Sequence, residues 1–316
     1  MVLVTGAKYH LGQEVVRQLI TAGYDVKVIY STKKDISSLS DFEDQLTLVH
    51  ADVLDVTEIY EAMQGVKTVI HCDLIDEWTP ASYHDRFKQN VEGTANVVNA
   101  MLYHQVPQLI FFSSLSVLEV EPDKIVNENS NLYENEWTEE ETLSILKAER
   151  EVWRGGAEGL NISVINTAHF LNPTSEEKHL FSQALSSLSK GSVEIYDSAI
   201  YYVFLKDAVE LALKVLVSDH WNKRLLAIGG VSNMEEFYST LSNIYKYSWQ
   251  PKYMNQTAVI AKAAKDYLYS VISSNHRTFR RKHGDRMLMD VKYDASHTTQ
   301  LFEMEWRSVS DLESTV

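Results

Sequence analysis

Short, nearly continuous hydrophobic runs alternate along the chain with longer segments in which hydrophobic residues recur every three or four positions. The runs are VLVTG, YDVKVIY, LTLVHAD, VKTVIHC, LIFFSS and ISVINTA. Such runs are typical of strands that are buried on both faces of a parallel sheet. The segments between them, such as GQEVVRQLITAG and VTEIYEAMQGV, have the period of amphipathic helices and a glycine near their end. This alternation predicts a doubly wound α/β fold with a parallel sheet.

After about residue 168 the alternation weakens, and the remaining pattern predicts scattered helices, short strands and a tail. The stretch IYYVFLKDAVELALKVLV predicts a return of the chain to the main domain. We therefore predict a Rossmann-type dinucleotide-binding domain and a smaller, C-terminal substrate lobe. The first is expected to contain residues 1–168 and 199–228, and the second residues 169–198 and 229–316. A capping-box pattern, Thr138 with Glu141, predicts the start of a helix between the fifth and sixth runs.

A glycine-containing turn, VTGAKYHLG, follows the first predicted strand and opens a predicted helix. In a dinucleotide-binding turn the first glycine makes the bend, the second lets the backbone approach the pyrophosphate, and the third lets helix and strand pack closely. Gly6 and Gly12 suit the first and third tasks, but Tyr9 occupies the second position. Its side chain must either point away from the phosphates or fill their space. A strand-to-helix turn that binds no ligand is the alternative interpretation.

Two other positions bear on the adenosine half of such a ligand. Asp52, at the end of LTLVHAD, is placed to accept a hydrogen bond from an adenine amino group, or simply to cap its own loop. The stretch YSTKK after the second strand has no acidic residue for a ribose 2′-hydroxyl. Lys33 and Lys34 suit a 2′-phosphate instead, so the sequence leans towards NADP rather than NAD.

The 316 residues carry a formal net charge of −15, which disfavours a general nucleic-acid surface and binding to anionic lipid. No run of about eighteen apolar residues is present, so no membrane span is predicted. The single cysteine, Cys72, and the absence of a signal-peptide pattern lead us to expect a cytoplasmic protein. The basic stretch Asn275–Arg286 binds an anionic ligand or partner, or neutralises the acidic surface of the protein itself.

Neither a hydrolase nor a metal enzyme is indicated. Ser113, Ser114 and Ser116 are not surrounded by a G-x-S-x-G motif. The eleven histidines form no HExxH motif and no close cluster with cysteine, so we predict no metal site.

Seven motifs carry a resemblance to one superfamily. They are TGAKYHLG, ADVLD, NVEGTANVVNA, FFSSLSV, ILKAERE, FLKDAVELAL and KYDASHTTQLFEMEW. With these motifs over most of its length, the chain resembles the extended short-chain dehydrogenase/reductase superfamily, in particular its epimerase/dehydratase and dihydroflavonol-reductase-like branch. The resemblance implies an NAD(P) cofactor, a small-molecule ligand, and a homodimer formed through the helices of residues 83–104 and 138–156. The predicted cofactor-binding residues are Thr5, Gly6, Tyr9, His10, Leu11, Gly12, Lys33, Asp52, Val53, Asp73 and Lys147.

The resemblance also implies a catalytic set. In the superfamily a tyrosine acts as general acid or base, a lysine four residues later lowers its pKa, and a serine orients the substrate. The serine corresponds to Ser114 and the lysine to Lys147. Leu143 replaces the expected tyrosine, and a leucine can neither donate nor accept a proton. Tyr133 is the nearest tyrosine and would have to fold back over the cleft to substitute for it.

Two further pairs depart from the superfamily pattern. Asp73 and Leu74 occupy positions at which two small residues are usual, and Asn166-Thr167 occupies the position of an Arg-Pro pair. Because the strand and helix patterns remain regular, these departures are expected to lie on the ligand side of an intact scaffold.

We therefore expect a non-classical member of the superfamily. It would bind a nucleotide or small ligand, or serve as an interaction partner, and would have lost tyrosine-dependent hydride transfer. The alternative is an active NAD(P)-dependent oxidoreductase or epimerase/dehydratase, acting on a small carbonyl or sugar-nucleotide substrate. In that case Ser114, Lys147 and a bound water or displaced side chain would share the proton transfer.

Overall fold

The structure is a computed structural model, and it describes all residues except 76–78, 80, 121–123, 135–137, 174–179, 274–287, 289–290 and 316. The strands are β1 Val2–Thr5, β2 Val26–Tyr30, β3 Leu46–His50, β4 Thr68–His71, β5 Gln108–Ser114, β6 Ile125–Val126, β7 Asn161–Thr167, β8 His169–Leu171, β9 Ser192–Tyr196, β10 Ala199–Phe204, β11 Lys223–Ala227, β12 Gly230–Asn233, β13 Gln250–Met254 and β14 Lys292–Tyr293.

Seven of these strands form one parallel sheet, with the order β11-β7-β5-β4-β1-β2-β3. The predicted doubly wound α/β fold is therefore confirmed, and each of the six hydrophobic runs is a strand of this sheet. The strand order reverses between β1 and β4. In open α/β sheets a ligand binds in the crevice outside the carboxyl ends of the strands at such a point.

Helices cover both faces of the sheet. They are α1 His10–Thr21, α2 Val56–Ala62, α3 Tyr83–Phe87, α4 Gly93–His104, α5 Glu140–Ala157, α6 Leu180–Ser189, α7 Leu205–Leu216, α8 Met234–Tyr245, α9 Gln256–Ser273 and α10 Ser296–Leu301. Each strand contributes side chains to both faces. Val2 and Val4 of β1 belong to the core on the side of α1 and α7, whereas Leu3 belongs to the core on the side of α2, α4 and α5. The sheet is therefore buried on both faces, which explains its nearly continuous hydrophobic runs.

Smaller sheets lie outside the seven-stranded one. They are β12-β10-β8, β13-β9 and β14-β6. The strand at Ala199–Phe204 belongs to the first of them, although we expected it within the dinucleotide-binding domain. The chain rejoins the large sheet at β11, after α7. The division of the chain into two domains remains a prediction.

Two helix boundaries affect the site. The helix α5 begins at Glu140 with Glu139 at its N-cap, and the side chain of Glu139 forms no capping hydrogen bond. The predicted capping box, with Thr138 as N-cap, is therefore wrong by one residue. Between α3 and α4 the segment Lys88–Glu92 is a π-helical turn, a feature often found at functional sites.

The C-terminal segment contacts the seven-stranded sheet at β11, the helix α7, and the three-stranded sheet at β10. Thr298 of α10 is buried, and its hydroxyl oxygen accepts a hydrogen bond from the backbone of Leu226 in β11. The guanidinium of Arg307 forms an ion pair with Asp207 of α7. Val309 donates its backbone N–H to the hydroxyl of Tyr202 in β10.

In the described part of the chain, no helix is long and apolar enough to cross a membrane. Within the same part, no three His, Cys, Asp or Glu side chains are grouped to hold a metal ion. The basic stretch at 275–286 lies outside the described residues.

Candidate functional site

The turn after β1 is packed as closely as backbone atoms allow. Gly6 has φ +73°, and a Cβ atom at this position would lie 2.6 Å from the carbonyl of Cys72 and 2.7 Å from the backbone nitrogen of Asp73. A Cβ atom on Gly12 would lie 2.4 Å from the carbonyl oxygen of Gly6. Only glycine fits either position, so β1, α1 and the end of β4 meet at this turn.

Tyr9 occupies the N-cap position of α1 in an ordinary extended conformation, with φ −102° and ψ 151°. The backbone at this position is therefore unstrained with a tyrosine. Its ring lies beside Lys8, whose Nζ is 5.1 Å from the ring centroid. His10 and Leu11 follow as the first residues of α1, and both are half-buried. The N terminus of α1 is thus formed with Tyr9 in place of the second glycine.

Lys8 and Asp73 form an ion pair across the turn. Lys8 Nζ lies 2.8 Å from Asp73 Oδ1, and the Asp73 side chain is almost completely buried. Burial raises the pKa of Asp73, and the positive charge of Lys8 partly opposes that rise. The expected negative charge of Asp73 therefore has a positive partner from the turn itself.

A groove runs from this turn over the carboxyl ends of β2 and β3. Asp52 lines it, and its carboxylate also accepts a hydrogen bond of 2.9 Å from the backbone of Leu54. Asp52 thus caps its loop and faces the groove at the same time. Val53 is buried and packs against Gly93 of α4. The complete lining consists of Gly6, Ala7, Lys8, Ile29, Tyr30, Ser31, Asp35, Ala51, Asp52, Val53 and Asp73.

Asp35 was not identified by the sequence analysis, and the expectation of an acid-free end of β2 is wrong. The Asp35 carboxylate accepts hydrogen bonds of 2.8 Å from both the backbone and the hydroxyl of Thr32, and of 3.1 Å from Ser31. Burial raises the pKa of Asp35, but the hydrogen bonds from Thr32 and Ser31 together outweigh it, so the pKa is lowered from its usual value. Lys33, by contrast, is exposed and lies outside the groove lining. The Thr32-x-x-Asp35 capping pattern was the available signal.

Thr5 and His71 join the ends of β1 and β4. The Thr5 hydroxyl lies 2.6 Å from His71 Nδ1, and His71 Nε2 lies 3.0 Å from the Thr94 hydroxyl. Because Thr94 donates its proton to the Asn90 carbonyl, His71 carries its proton on Nε2 and accepts from Thr5. Burial, with a smaller effect of the Lys8 charge, lowers the pKa of His71 to about 3. Thr5 and His71 are thus bound to each other in a neutral, buried contact.

The predicted catalytic residues lie on β5 and α5. Ser114 ends β5, and its hydroxyl oxygen accepts hydrogen bonds from the backbone and the hydroxyl of Ser116. Lys147 is half-buried on α5, with Nζ 5.8 Å from the centroid of the Phe87 ring. Leu143 lies one helical turn before Lys147 and is also half-buried. The described geometry therefore contains a serine and a lysine but no proton donor at position 143. Tyr133 is exposed and donates its backbone N–H to Val117.

Asn90, in the π turn, fastens the segment after β4 to α5. Its side chain exchanges two hydrogen bonds with the backbone of Ile75, at 2.7 and 2.9 Å. It also donates to the hydroxyl of Ser144, at 2.9 Å. Asn90 of the π turn thus holds the backbone that follows Asp73 and Leu74 against α5.

A buried polar network joins α5 to the strands β5, β7 and β11. Glu149 is completely buried and accepts hydrogen bonds from Ser113 at 2.6 Å, Asn166 at 2.8 Å and Arg224 at 2.8 Å. Trp153 completes it with a hydrogen bond of 3.0 Å. Glu149 was not predicted as a buried residue, although it falls on the apolar face of α5.

Asn166 and Thr167 were expected on the ligand side of the scaffold. Asn166 is instead completely buried and donates to Glu149 and to the Ser114 carbonyl, while the Thr167 hydroxyl donates to the carbonyl of Ser113. The expectation is wrong for Asn166, because its side chain fills the network beneath the strand. Asn166 and Thr167 therefore hold the backbone at Ser113 and Ser114.

Comparison with known proteins shows the family of this chain. The model of the 3-beta hydroxysteroid dehydrogenase/isomerase family matches residues 3–168. Sterol demethylase protein B of Methylococcus capsulatus is 23% identical over 72% of this chain and 69% of its own. Cinnamoyl-CoA reductase 1 of Oryza sativa subsp. japonica is 26% identical over 78% of this chain and 76% of its own.

Solved structures share the fold. The crystal structure of gox2253 has a TM-score of 0.84 and 20% identity, covering 99% of this chain and 96% of that one. UDP-glucuronic acid 4-epimerase from Bacillus cereus, in complex with NAD, has a TM-score of 0.74 and 15% identity, covering 98% of this chain and 95% of that one. The resemblance inferred from the seven motifs is therefore confirmed.

Proposed function

Since the chain belongs to the 3-beta hydroxysteroid dehydrogenase/isomerase family, within the extended short-chain dehydrogenase/reductase superfamily, we propose that it binds a nicotinamide dinucleotide and has lost tyrosine-dependent hydride transfer. The observation that carries this proposal is Leu143, one turn before Lys147 on the helix that faces the end of β5. The hydrocarbon side chain of Leu143 removes the proton donor, while the turn at Gly6 keeps its close packing.

The residues of the groove fit the adenosine and diphosphate parts of such a cofactor. Gly6 and Gly12 bring the N terminus of α1 against the ends of β1 and β4, and backbone N–H groups at a helix N terminus attract anions. Asp52 is available to the adenine amino group at the far end of the groove. A nicotinamide ring supplies hydride exchange when the cofactor is bound. Structural relatives that are complexes with NAD support this assignment.

Within this proposal, the groove favours NAD over NADP. The lean towards NADP rested on Lys33 and Lys34, which are exposed. Asp35 instead lines the groove with its carboxylate at the end of β2. A carboxylate near an adenine ribose accepts a hydrogen bond from the 2′-hydroxyl and repels a 2′-phosphate.

The second candidate function is weak residual catalysis by an oxidoreductase or epimerase/dehydratase. It is favoured by the presence of Ser114 at the end of β5 and of Lys147 on α5, the helix that packs against this strand. Relatives named cinnamoyl-CoA reductase and UDP-glucuronic acid 4-epimerase suggest a small carbonyl or sugar-nucleotide substrate. Losing a general acid typically lowers a rate by about 10²–10⁴-fold, so turnover would be slow rather than absent.

Titration of the purified protein with NADH and NADPH tests the binding proposal, by cofactor fluorescence and calorimetry. We expect micromolar binding, tighter for NADH than for NADPH. Gly12→Ala should abolish it, because the added methyl group collides with the Gly6 carbonyl and displaces α1. Gly23→Ala is the control for backbone strain without a collision, since Gly23 has φ +80° but a Cβ atom there meets no other atom within 4 Å. No binding of either cofactor at millimolar concentration would contradict the proposal.

Turnover separates the two candidate functions. We expect no NADH oxidation with carbonyl or sugar-nucleotide substrates, and no restoration by Leu143→Tyr alone. If turnover is detected and Lys147→Ala abolishes it, the second candidate replaces the first. If turnover survives Lys147→Ala unchanged, its source is not this cleft.

Compartment and assembly are part of the same proposal. The single cysteine, Cys72, is buried and supports a reducing, cytoplasmic environment. A homodimer through α4 and α5 follows from the resemblance, and light scattering of the purified protein measures it directly.

A further inference from the structure

The turn at which a phosphate is proposed to bind contains a carboxylate, Asp73, beside the cation Lys8. Lys8 and Asp73 both line the groove, with side-chain exposures of 29% and 8%. A cation there attracts a diphosphate, whereas a buried carboxylate 2.8 Å away competes for the same cation. How strongly Lys8 attracts an anion therefore depends on whether the Asp73 carboxyl is ionised or protonated.

The Asp73 carboxyl is buried, and Lys8 is its cationic partner. Lys8 Nζ lies 2.8 Å from Asp73 Oδ1, and the buried amide of Gln89 lies beside the same carboxyl. Burial raises the pKa of Asp73, Lys8 and Gln89 lower it, and the negative Asp52 raises it again. The net effect is a raised pKa, so that this carboxyl takes up a proton more readily than an exposed aspartate.

Among the titratable groups around the turn, His71 and Cys72 are uncharged, whereas Lys8, Asp73 and the carboxylates that line the groove carry charge. His71 stays neutral because burial lowers its pKa to about 3. Cys72 stays a thiol because burial and the adjacent Asp73 raise its pKa well above the usual value. Asp52 and Asp35 also line the groove, and the negative charge of Asp52 acts on Asp73. Asp73 follows directly on Cys72, whose carbonyl lies against Gly6, so an anion seated at the turn is near both charges.

We propose that Lys8 is the cationic ligand of a diphosphate at this turn and that Asp73 is a built-in competitor, so that anion binding is coupled to protonation of Asp73. The coupling rests on the proposed dinucleotide function, because it concerns the same groove. When an anion attracts Lys8, the buried carboxylate loses its positive partner and takes up a proton. At high pH the carboxylate retains Lys8 and repels the anion.

Calorimetry with NADH, in two buffers of different ionisation enthalpy between pH 5.5 and 8.5, measures the coupling. We expect wild-type binding to take up as much as one proton and to weaken as pH rises. Asp73→Asn should bind NADH on the order of tenfold more tightly at pH 8, without proton uptake. Lys8→Met should weaken binding by a similar factor, since it leaves the carboxylate unpaired. Lys190→Met is the matched control, because Lys190 is an exposed cation outside the groove lining.

The outcomes distinguish this inference from the proposed function. If wild type and Asp73→Asn bind NADH equally and without proton uptake, the coupling is overturned and dinucleotide binding stands. If only Asp73→Asn binds NADH, the wild-type function is overturned and the competitor role of Asp73 stands. If neither protein binds NADH or inorganic pyrophosphate, both are overturned.

A measurement without ligand guards against a misfolded variant. Acetylation of Lys8, followed by mass spectrometry, should be faster in Asp73→Asn than in wild type, because the ammonium has lost its ion pair. Equal labelling rates at pH 8 would overturn the pairing on which the coupling depends.

Discussion

At the scale of single residues, His71 links the two strands that meet beneath the glycine turn. It is completely buried between Thr5 and Thr94, and its two ring nitrogens are both within hydrogen-bond distance of a threonine hydroxyl. This arrangement is satisfied only by the neutral ring, because a second ring proton would face the hydroxyl that now donates to it. Protonation of His71 at low pH would therefore break one of these hydrogen bonds and destabilise the fold.

His71 predicts the acid sensitivity of the protein. Its pKa is lowered from 6.5 to about 3 by burial, so the unfolded chain binds this proton more strongly than the folded chain. The free energy of unfolding should be unaffected by this group above pH 6.5 and should fall between pH 6.5 and about 3. The slope approaches about 1.4 kcal/mol per pH unit.

Urea denaturation across this pH range, with NMR titration of the His71 ring, measures the effect. His71→Asn should remove this part of the slope, whereas replacing the exposed His297 by Asn should leave it. A ring that titrates near pH 6.5 in the native protein would contradict the prediction.

At the scale of elements, Glu149 determines how α5 lies against β5, β7 and β11. Its carboxylate binds Ser113, Asn166 and Arg224, one from each strand. Lys147 and Leu143 lie on the same helix, so the network also fixes the position of both residues relative to β5. The helix that carries the predicted catalytic lysine is thus positioned by a buried charge rather than by packing alone.

Breaking this pair should be costly. Arg224→Met leaves the completely buried Glu149 without its cation and should lower the free energy of unfolding by about 3–5 kcal/mol. Arg154→Met, which removes surface ion pairs with Glu151 and Glu158 at 2.9 Å, is the control and should change it by less than about 1 kcal/mol. Equal effects of the two substitutions in urea denaturation would refute a special role for the network.

Individual elements show how far the sequence predicts this structure. The six hydrophobic runs were recognised as strands because burial on both faces leaves a local pattern. The strand at Lys223–Ala227 was missed because its burial comes from β7 and from Thr298, far away in sequence. Asp35 was missed because its capping bonds fold it back to the end of β2.

The site was predictable to a lesser degree than the strands. The missing tyrosine at Leu143 follows from the resemblance to the superfamily, and Asp73 was singled out as a charge at the expected ligand site. Its ion pair with Lys8 depends on tertiary packing, because β4 and the first turn are more than sixty residues apart. Asn166 was placed on the wrong side for the same reason, since its partner Glu149 lies on another element.

At the scale of the whole molecule, the C-terminal segment connects the large sheet with the smaller one. It contacts β11 through Thr298, α7 through Arg307 and β10 through Val309. Asp207 of α7 is almost completely buried and receives both the backbone N–H and the guanidinium of Arg307. The residues after β14 therefore contribute to the stability of both sheets.

Arg307→Met should lower the free energy of unfolding by about 1–3 kcal/mol, because Asp207 keeps only a backbone partner. Hydrogen exchange should accelerate in α7 and in β10 together. Lys252→Met is the control, since it removes an exposed ion pair with Glu194. Faster exchange confined to the last residues of the chain would contradict a connecting role.

The π turn at Lys88–Glu92 has a consequence for how the chain tolerates changes in length. A π turn holds one residue more than the α-helical turn it replaces, so deleting one residue within it regenerates a regular helix and leaves α4 in phase. The same deletion in the middle of α4 would rotate every following side chain by about 100°. Shortening at the π turn would thus preserve the scaffold but release Ile75 and Ser144 from Asn90. A change of one residue in length at the π turn would therefore alter the contacts of Asn90 while the rest of the fold stays the same.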